Sequence, residues 1–418
     1  MNDMTRPLAL PQPSALEAFL RRRLLAQLAP MKGGRLQLRD ALGDVTLGDA
    51  DGALQVTVWV DHPAFYRAVA AQGSVGAGES YIRGEWRCDN LVALVQLLVR
   101  NRALLDGMER GPARLGGWLL QGWNRLRRNT REGSRRNIAA HYDLGNAFFS
   151  LFLSSDLMYS SALYAEPGDT LEVASQRKLA RICDQLRLQP GDRVIEIGTG
   201  WGGFAVYAAL HHGCHVTTTT ISREQYALAT ERVARAGLQD RVTILLKDYR
   251  DLDGQYDKLV SIEMIEAIGA QYLDTYFATL TRLLKPEGLA MLQAITIEDE
   301  RYEQARRSVD YIKRFVFPGS FIPSLHAMLG AKTRSSDLQL IGQHDFGQSY
   351  ALTLRAWRRR FLSQLPAVRA QGFDERFIRL WEFYLAYCEG GFLERSIGVS
   401  QLLLARPGYR PAPIEGTH

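Results

Sequence analysis

Between residues 193 and 297 the chain alternates short apolar runs with longer amphipathic stretches. The apolar runs have the length and β-branched content of buried strands, whereas the stretches between them repeat apolar residues at helical spacing. Strands that alternate with helices in this way form a parallel sheet with right-handed crossovers. The predicted strands cover 193–198, 215–222, 242–247, 258–264 and 288–297, and the predicted helices cover 203–212, 223–236 and 271–284.

The same spacing predicts elements on both sides of this region. Upstream it indicates a basic amphipathic helix over 16–28, a strand over 54–60 and a helix over 91–98. Downstream it predicts helices over 301–315, 351–364 and 374–388, and a last strand over 398–405. A chain of 418 residues exceeds a typical single core. We therefore expect an α/β protein in which a smaller N-terminal α+β domain, residues 1–110, precedes a larger domain, residues 137–410.

Residues 111–136, between these domains, are rich in Gly, Trp and Arg. Trp118 and Trp123 precede six arginines that face one acid, Glu132. The arginines are Arg125, Arg127, Arg128, Arg131, Arg135 and Arg136. Tryptophan at headgroup depth and arginine on phosphate would suit a membrane surface, whereas many charge runs are only solvated. Both interpretations of this linker stay open.

Composition narrows the class of protein. Hydrophobic residues make up 46% of the chain and charged residues 23%, which is typical of a globular protein. The four cysteines are scattered, which favours reduced thiols over disulfides or a zinc site. No apolar run is long enough to span a bilayer and no signal-peptide core is visible, so we expect a cytoplasmic protein. The net charge of +6 is a moderate bias towards anionic partners, and nucleic acid, anionic lipid headgroups and no specific partner all stay open.

A glycine-rich turn, RVIEIGTGWGG at 193–203, follows the first predicted strand. Such a turn lets backbone N–H groups approach a ligand and aims a helix N-terminus at it. Its glycines also satisfy the dinucleotide fingerprint, but an NAD site needs an acid at the end of the next strand, and 215–222 ends without one. Glu196, just before the turn, suits the cationic ammonium and sulfonium groups of S-adenosylmethionine. The sequence therefore predicts S-adenosylmethionine as the cofactor.

Ten blocks, in family order and covering nearly the whole chain, resemble those of cyclopropane-fatty-acyl-phospholipid synthases. These enzymes add a methylene group from S-adenosylmethionine across a lipid double bond. The matching blocks are GESYIRGEW (78–86), NIAAHYDLGNAFFSLFL (137–153), MYSSALY (158–164), IEIGTGWGGFA (195–205), TTISREQYALA (219–229), LLKDYRDL (245–252), SIEMIEAIG (261–269), FVFPGSFIPS (315–324), DFGQSYALTLRAW (345–357) and YLAYCEGGFLERSIGVSQLLL (384–404).

The resemblance implies a Rossmann-like sheet of the class I S-adenosylmethionine-dependent methyltransferases, joined through a linker to a small N-terminal domain. It also implies which residues contact the cofactor. They are Tyr159, Ser160, Glu196, Gly198, Gly200, Gly202, Gly203, Thr220, Gln225, Asp248 and Tyr249. Short polar side chains at strand ends suit ribose and adenine, and Asp248 can accept the exocyclic amine. Considered alone, Thr220 is equally a β-branched strand residue and Asp248 a loop-initiating acid.

Methylation of an alkene produces a carbocation, so the site needs apolar walls, aromatic faces and a base for one proton of the new methyl group. The resemblance implies bound bicarbonate as that base, held by the side chains of Glu266 and Tyr350 and by the backbone of Ser161 and Ile295. Gln293 stands where many relatives carry His. It can donate and accept a hydrogen bond but cannot shuttle a proton. For Glu266, a helix-start carboxylate is the competing interpretation.

Two further sets of residues come from the resemblance or from composition. Cys388 matches a cysteine often cited as catalytic in the family, although a small core residue is the alternative interpretation. Five aromatic residues are candidates for the walls of a substrate tunnel, and each is equally explained by core packing. They are Phe149, Tyr159, Phe317, Tyr350 and Trp357.

The resemblance implies that the substrates are unsaturated acyl chains of phospholipids, reached from the inner face of the membrane. We expect cyclopropane fatty acids as products. A methyltransferase that gives methyl-branched or furan-type products without ring closure is the alternative, and a homodimer stays open. A nucleic-acid methyltransferase is disfavoured because no base-flipping motif or RNA-binding module is visible. A lipid-binding protein without activity is disfavoured because the glycine turn, Glu266 and Tyr350 are retained.

Overall fold

The computed structural model describes residues 10–104 and 144–411. The predicted linker at 111–136 lies outside the described residues, as do the arginines and tryptophans that define it. The described helices are α1 (Ala15–Leu28), α2 (Ala64–Ile82), α3 (Leu91–Arg100), α4 (Asn146–Phe149), α5 (Leu171–Leu186), α6 (Gly203–His212), α7 (Arg223–Arg235), α8 (Leu273–Leu283), α9 (Asp299–Arg307), α10 (Leu325–Ser335), α11 (Gly347–Ser363), α12 (Leu365–Ala370) and α13 (Glu375–Leu393).

The described strands fall into two sheets. They are β1 (Gly34–Arg39), β2 (Val45–Gly48), β3 (Leu54–Val60), β4 (Trp86–Cys88), β5 (Arg193–Ile197), β6 (His215–Thr220), β7 (Val242–Leu246), β8 (Tyr256–Ile262), β9 (Leu284–Ile297), β10 (Gln339–Asp345) and β11 (Ile397–Ala405). The described residues form two compact units. The first contains residues 10–104, Arg307–Pro318 and Leu354–Ser396, and the second contains the remainder.

The first unit is built on a four-stranded sheet of order β2-β1-β3-β4. β1 runs parallel to β3, and the outer strands are antiparallel to their neighbours. Helix α13 packs against α2 and α3. Gly78 in α2 permits the close approach of the segment 307–318, since a Cβ there would lie 2.4 Å from the ring of Tyr311. The C-terminal segments of the chain therefore complete the core of this unit.

The second unit contains a seven-stranded sheet of order β10-β11-β9-β8-β5-β6-β7. The strands from β9 to β7 are parallel, whereas β11 is antiparallel to both β9 and β10. One buried cluster joins β5 to α5 and α6, and a second joins the sheet to α8 and α10. The predicted α/β class, with a smaller α+β part, is confirmed. The parallel strands carry their C-terminal ends to one edge, where ligands bind in such folds.

Several elements differ from the sequence prediction. The helix expected over 301–315 ends at Arg307 in α9, and a separate π-helical turn follows at Ile312–Val316. β8 ends at Ile262, two residues before the predicted end, because Glu263 adopts a left-handed backbone conformation. β10, at the edge of the sheet, was not predicted, since its residues are mostly polar and include Gly342. None of the described helices is long and apolar enough to cross a membrane.

Candidate active site

The glycine turn follows β5 directly and leads into α6. Gly198, Gly200 and Gly202 have positive φ angles of 102°, 51° and 84°, which L-residues with a Cβ rarely adopt. Gly203 has another reason to lack a side chain, because a Cβ there would lie 2.5 Å from the sulfur of Met158. The backbone conformation therefore dictates three of the glycines, and close packing against Met158 dictates the fourth.

Glu196, the last acid before this turn, is only 2% exposed. Its carboxylate accepts a hydrogen bond from the hydroxyl of Thr218 at 2.6 Å, and that hydroxyl lies 2.7 Å from the hydroxyl of Thr199. Burial raises the pKa of Glu196 to about 8, against the opposing effects of Thr218 and Lys178. A cation bound at this carboxylate would favour its ionised form.

Lys178 of α5 is fully buried beside these groups. Its ammonium donates a hydrogen bond to the hydroxyl of Ser160 at 2.8 Å. Burial lowers the pKa of Lys178 to about 8, while Asp156, Glu263 and Glu196 oppose that shift. The positive charge of this buried lysine opposes the effect of burial on the pKa values of Glu196 and Glu263.

The ends of the next two strands carry the other predicted cofactor residues. After β6, the hydroxyl of Thr220 donates to Oε1 of Gln225 at 2.8 Å. After β7, Asp248 is buried and accepts two hydrogen bonds from the guanidinium of Arg250, at 2.7 and 2.8 Å. Tyr249 is also buried, and burial raises the pKa of its hydroxyl. The strand ends of β5, β6 and β7 therefore align these side chains along one edge of the sheet.

Three aromatic rings form a cluster centred on Phe149. The rings of Phe149 and Tyr159 are 5.3 Å apart, and the ring of Trp201 lies 5.0 Å from that of Phe149. The indole N–H of Trp201 donates to Asn146 at 2.7 Å. Of the five candidate tunnel aromatics, three lie in the second unit, and two of these, Phe149 and Tyr159, contact each other directly.

The end of β8 holds the most concentrated hydrogen-bond network of the site, and its centre is Glu263. One carboxylate oxygen of Glu263 accepts from the amide nitrogen of Gln293 at 2.8 Å and from the backbone N–H of Ser161 at 2.9 Å. The other accepts from the hydroxyl of Tyr350 at 2.7 Å. Burial raises the pKa of Glu263, and these three donors together with Lys178 oppose the rise.

Glu266 lies one turn further along the chain. One of its carboxylate oxygens accepts from the backbone N–H of Ile295 at 2.5 Å. The other is buried and has no hydrogen-bond partner among the described residues. Burial, reinforced by the charge of Glu263, raises the pKa of Glu266 to about 8. Two partly buried carboxylates with different hydrogen-bond partners therefore share this end of the sheet.

Three predicted residues belong to the first unit. Cys388 lies in α13 near Tyr311, and burial raises the pKa of its thiol well above its ordinary value. Phe317 packs against Tyr384, with 6.0 Å between ring centres, and Trp357 is completely buried. A buried, protonated thiol is a poor nucleophile and behaves as a small apolar residue.

The model of the mycolic acid cyclopropane synthetase family matches residues 129–402. The chain is 37% identical over 407 residues to a tuberculostearic acid methyltransferase of Mycobacterium tuberculosis, which covers 94% of this chain and 93% of that protein. It is 38% identical over 364 residues to the cyclopropane-fatty-acyl-phospholipid synthase of Escherichia coli K12, covering 85% and 89%. The chain belongs to the mycolic acid cyclopropane synthetase family.

Solved structures agree with this assignment. The mycolic acid cyclopropane synthase complexed with SAH and CTAB superposes with a TM-score of 0.61 at 26% identity, covering 65% of this chain and 98% of that one. The protein is thus an S-adenosylmethionine-dependent methyltransferase of the cyclopropane synthase family, as the resemblance implied. Its own residues fit that cofactor, since the turn leaves a space that a Cβ would fill and Glu196 offers a buried carboxylate to a cation.

Bicarbonate, which the resemblance also implied, does not fit this family member. The hydroxyl of Tyr350, the amide of Gln293 and the N–H of Ser161 all donate to Glu263. The N–H of Ile295 donates to Glu266. Four of the five groups expected to hold bicarbonate, all except the side chain of Glu266, therefore already donate hydrogen bonds to carboxylates of the chain itself.

Glu263 and Lys178 are the two site residues that sequence reasoning missed. Glu263 stands three residues before Glu266 in a family block, and only the bend after β8 turns its side chain towards Tyr350. The signal for it was an acid placed at the end of an apolar strand. The signal for Lys178 was a lysine on the apolar face of α5, between Ala174 and Ile182, which are completely buried.

Proposed function

We propose that this methyltransferase transfers a methylene group from S-adenosylmethionine to the double bond of unsaturated acyl chains of membrane phospholipids, forming cyclopropane fatty acids. The observation that carries the proposal is the pair of partly buried carboxylates, Glu263 and Glu266, that follows β8. A methylated alkene is a cation, and it needs both a stabilising negative charge and a base that removes a proton. An ionised carboxylate at this place would supply both.

The residues at the strand ends take complementary parts in this proposal. The glycine turn and Glu196 would hold the amino acid part of the cofactor. Thr220, Gln225 and Asp248 would hold its ribose and adenine, and Tyr159 and Ser160 would close over it. Phe149 and Tyr159 would present aromatic faces to the cation. Cys388, which is partly buried in the first unit and whose thiol has a raised pKa, receives no chemical role.

A second candidate is methylation of the acyl chain without ring closure. It is supported by the similarity to the tuberculostearic acid methyltransferase, which covers 94% of this chain. It is also supported by Gln293, which cannot carry a proton as histidine can. The two candidates share the cofactor and the lipid class, and they differ only in where the last proton leaves.

A peripheral position on the cytoplasmic face of the membrane belongs to the same proposal. The exposed surface of α1 supports it. Leu16 is 56% exposed and Phe19 is 46% exposed, although both are large apolar residues. They lie three positions apart, so they share a helix face, and the exposed Arg22 and Arg23 follow them. Apolar side chains flanked by arginine suit an interface of acyl chains and phosphate.

The experiment that tests the proposed function incubates the full chain with S-adenosylmethionine and vesicles of unsaturated phosphatidylglycerol and phosphatidylethanolamine. Mass spectrometry should show the addition of one CH2 per acyl chain, and NMR should show that the alkene signal is lost and cyclopropane protons appear. Addition of CH2 with an alkene retained would support the second candidate instead. Absence of any mass gain on every unsaturated lipid would contradict both.

A further inference from the structure

The hydrogen bonds around Glu263 define a site for a single carboxylate. Three donors from separate parts of the chain, the hydroxyl of Tyr350, the amide of Gln293 and the N–H of Ser161, converge on its two oxygens within 2.9 Å. Tyr350 belongs to α11, Gln293 to β9, and Ser161 to the segment before α5. Such convergence is what a site built to hold a carboxylate-like anion requires.

The backbone of Glu263 provides a second, independent observation. Its φ angle is +50°, in the left-handed region that a residue with a Cβ rarely adopts. Its N–H nevertheless donates to the carbonyl of Gln293 at 2.8 Å, so the conformation is held in place from both sides. Residues kept in this region against their preference cluster at functional sites. The bend turns the side chain out of the strand direction and into the three donors.

We propose that the carboxylate of Glu263 is the general base of the methyl-transfer reaction and occupies the place that bound bicarbonate was expected to take. The proposal rests on the proposed function, because it assigns the proton acceptor of that reaction. It makes this protein independent of an external anion.

The chemistry balances without a further reactant. When bound, S-adenosylmethionine would supply an electrophilic methyl group. The electron pair of the alkene would form a bond to that methyl group while the sulfur–methyl bond breaks, and the electron pair of the broken bond would stay on the sulfur of the leaving S-adenosylhomocysteine. The acyl chain then carries the positive charge. One C–H bond of the new methyl group breaks, its electron pair closes the third carbon–carbon bond of the ring, and its proton goes to a carboxylate oxygen of Glu263. The proton afterwards leaves to solvent, and Tyr350 and Gln293 hold the carboxylate during the step.

The charges near Glu263 favour its role as the general base. Burial raises the pKa of Glu263, and Lys178 and the three donors oppose that rise because they stabilise the ionised form. Glu266, with its pKa raised further and one oxygen without a described partner, suits a neutral carboxylic acid. Neighbouring acids whose surroundings give them different pKa values commonly take different roles in proton transfer.

The first test compares the wild-type protein with and without bicarbonate. In buffer freed of carbon dioxide, we expect the rate of lipid methylation to stay within about twofold of the rate with added bicarbonate. NMR of 13C-labelled bicarbonate should show no binding to the protein with or without cofactor, which gives a readout independent of activity. A wild-type protein that binds bicarbonate and needs it for activity would overturn the proposal while leaving the proposed function intact.

The second test removes the carboxylate in two ways. Glu263→Gln keeps the size and loses the base, so kcat should fall by about 100-fold or more while the Kd for S-adenosylmethionine, measured by calorimetry, changes less than about threefold. Glu263→Gly relieves the positive φ and opens the donor site, so labelled bicarbonate should now bind and restore part of the activity. A Glu263→Gln protein within about threefold of wild-type kcat would overturn the proposal.

Arg187→Gly provides the matched control for the glycine variant. Arg187 has a φ of +53°, close to that of Glu263, and it is exposed at the end of α5. The control should keep wild-type activity and show no bicarbonate binding. The two proposals can fail separately. A wild-type protein that methylates no unsaturated lipid would contradict the proposed function, while the binding of labelled bicarbonate would still test the anion site.

Discussion

The hydroxyl of Tyr350 donates to a carboxylate oxygen of Glu263 across 2.7 Å. A hydrogen bond to the ionised form of an acid lowers its pKa, and this one opposes the effect of burial. In Tyr350→Phe that donor is lost, so the pKa of Glu263 should rise. Because the base must be ionised, the acid limb of the kcat–pH profile should move to higher pH. At neutral pH we expect kcat to fall by about tenfold or more.

The same variant separates chemistry from binding. Calorimetry should give a Kd for S-adenosylmethionine close to the wild-type value, because Tyr350 donates to Glu263 and belongs to none of the strand ends expected to hold the cofactor. Raising the pH should recover part of the lost rate. An unchanged pH profile together with normal activity would show that Tyr350 does not act through Glu263.

The raised pKa of Glu266 should make the free energy of unfolding depend on pH. Its pKa in the folded protein is raised from 4.5 to about 8. Between these values the folded state holds a proton that the unfolded state has released, so the free energy of unfolding should decrease as the pH rises from about 5 to 8. Each unit of pKa difference corresponds to roughly 1.4 kcal/mol, and Glu196 contributes in the same direction.

Glu266→Gln should therefore flatten this dependence in the cofactor-free protein without abolishing it. The measurement is urea denaturation at intervals between pH 5 and pH 8.5. The exposed Glu224 gives the control, since Glu224→Gln should leave the slope unchanged. A Glu266→Gln protein with the full wild-type slope would show that Glu266 is ionised in the folded state.

The sequence was sufficient for those features that the backbone alone imposes. Gly198, Gly200 and Gly202 have positive φ angles, and no other residue type gives the same turn at low cost, so the motif could be located by its letters. The parallel strands followed from apolar runs of the right length. β11 was predicted almost to the residue because it is buried on both faces.

The identity of the carboxylate that meets Tyr350 could not be predicted in the same way. Glu263 and Glu266 stand three residues apart in one apolar stretch, and family resemblance pointed to the second. Which of them reaches Tyr350 depends on the left-handed conformation at Glu263, which ends β8 and redirects the chain. A single backbone angle at a non-glycine residue has no signature in the sequence, since propensity would place a glycine there.

Gln401 predicts a positioning effect on the site. Its amide nitrogen donates to Oε1 of Gln293 at 3.0 Å, and its own oxygen accepts from Arg181 at 3.1 Å. This series of hydrogen bonds orients the amide of Gln293 so that its nitrogen faces Glu263. In Gln401→Met the orientation is lost, and we expect kcat to fall by about three- to tenfold with little change in KM for the lipid.

A second substitution of Gln401 tests the donor–acceptor direction of its hydrogen bond to Gln293. Gln401→Glu cannot donate to Gln293 but still accepts from Arg181, so it should favour the rotated amide and place an oxygen opposite Glu263. Two facing acceptors would raise the pKa of Glu263, and the acid limb of the pH profile should move upward, as in Tyr350→Phe. If Gln401→Met and Gln401→Glu both leave the profile and kcat unchanged, Gln401 is only a core residue.

The exposed face of α1 leads to the last prediction, on membrane contact. Leu16 and Phe19 are each about half exposed, so replacing both by Glu should change the free energy of unfolding by less than about 1 kcal/mol. If this face inserts among acyl chains, removing two apolar side chains and adding negative charge should weaken binding to anionic vesicles by about tenfold or more. Sedimentation with vesicles measures the binding.

Activity on detergent-dispersed lipid should stay near the wild-type level, because that assay needs no membrane surface. Leu210, 58% exposed on α6, gives the control, since Leu210→Glu should leave vesicle binding unchanged. Equal binding by the α1 double variant and the wild type would exclude α1 as the contact.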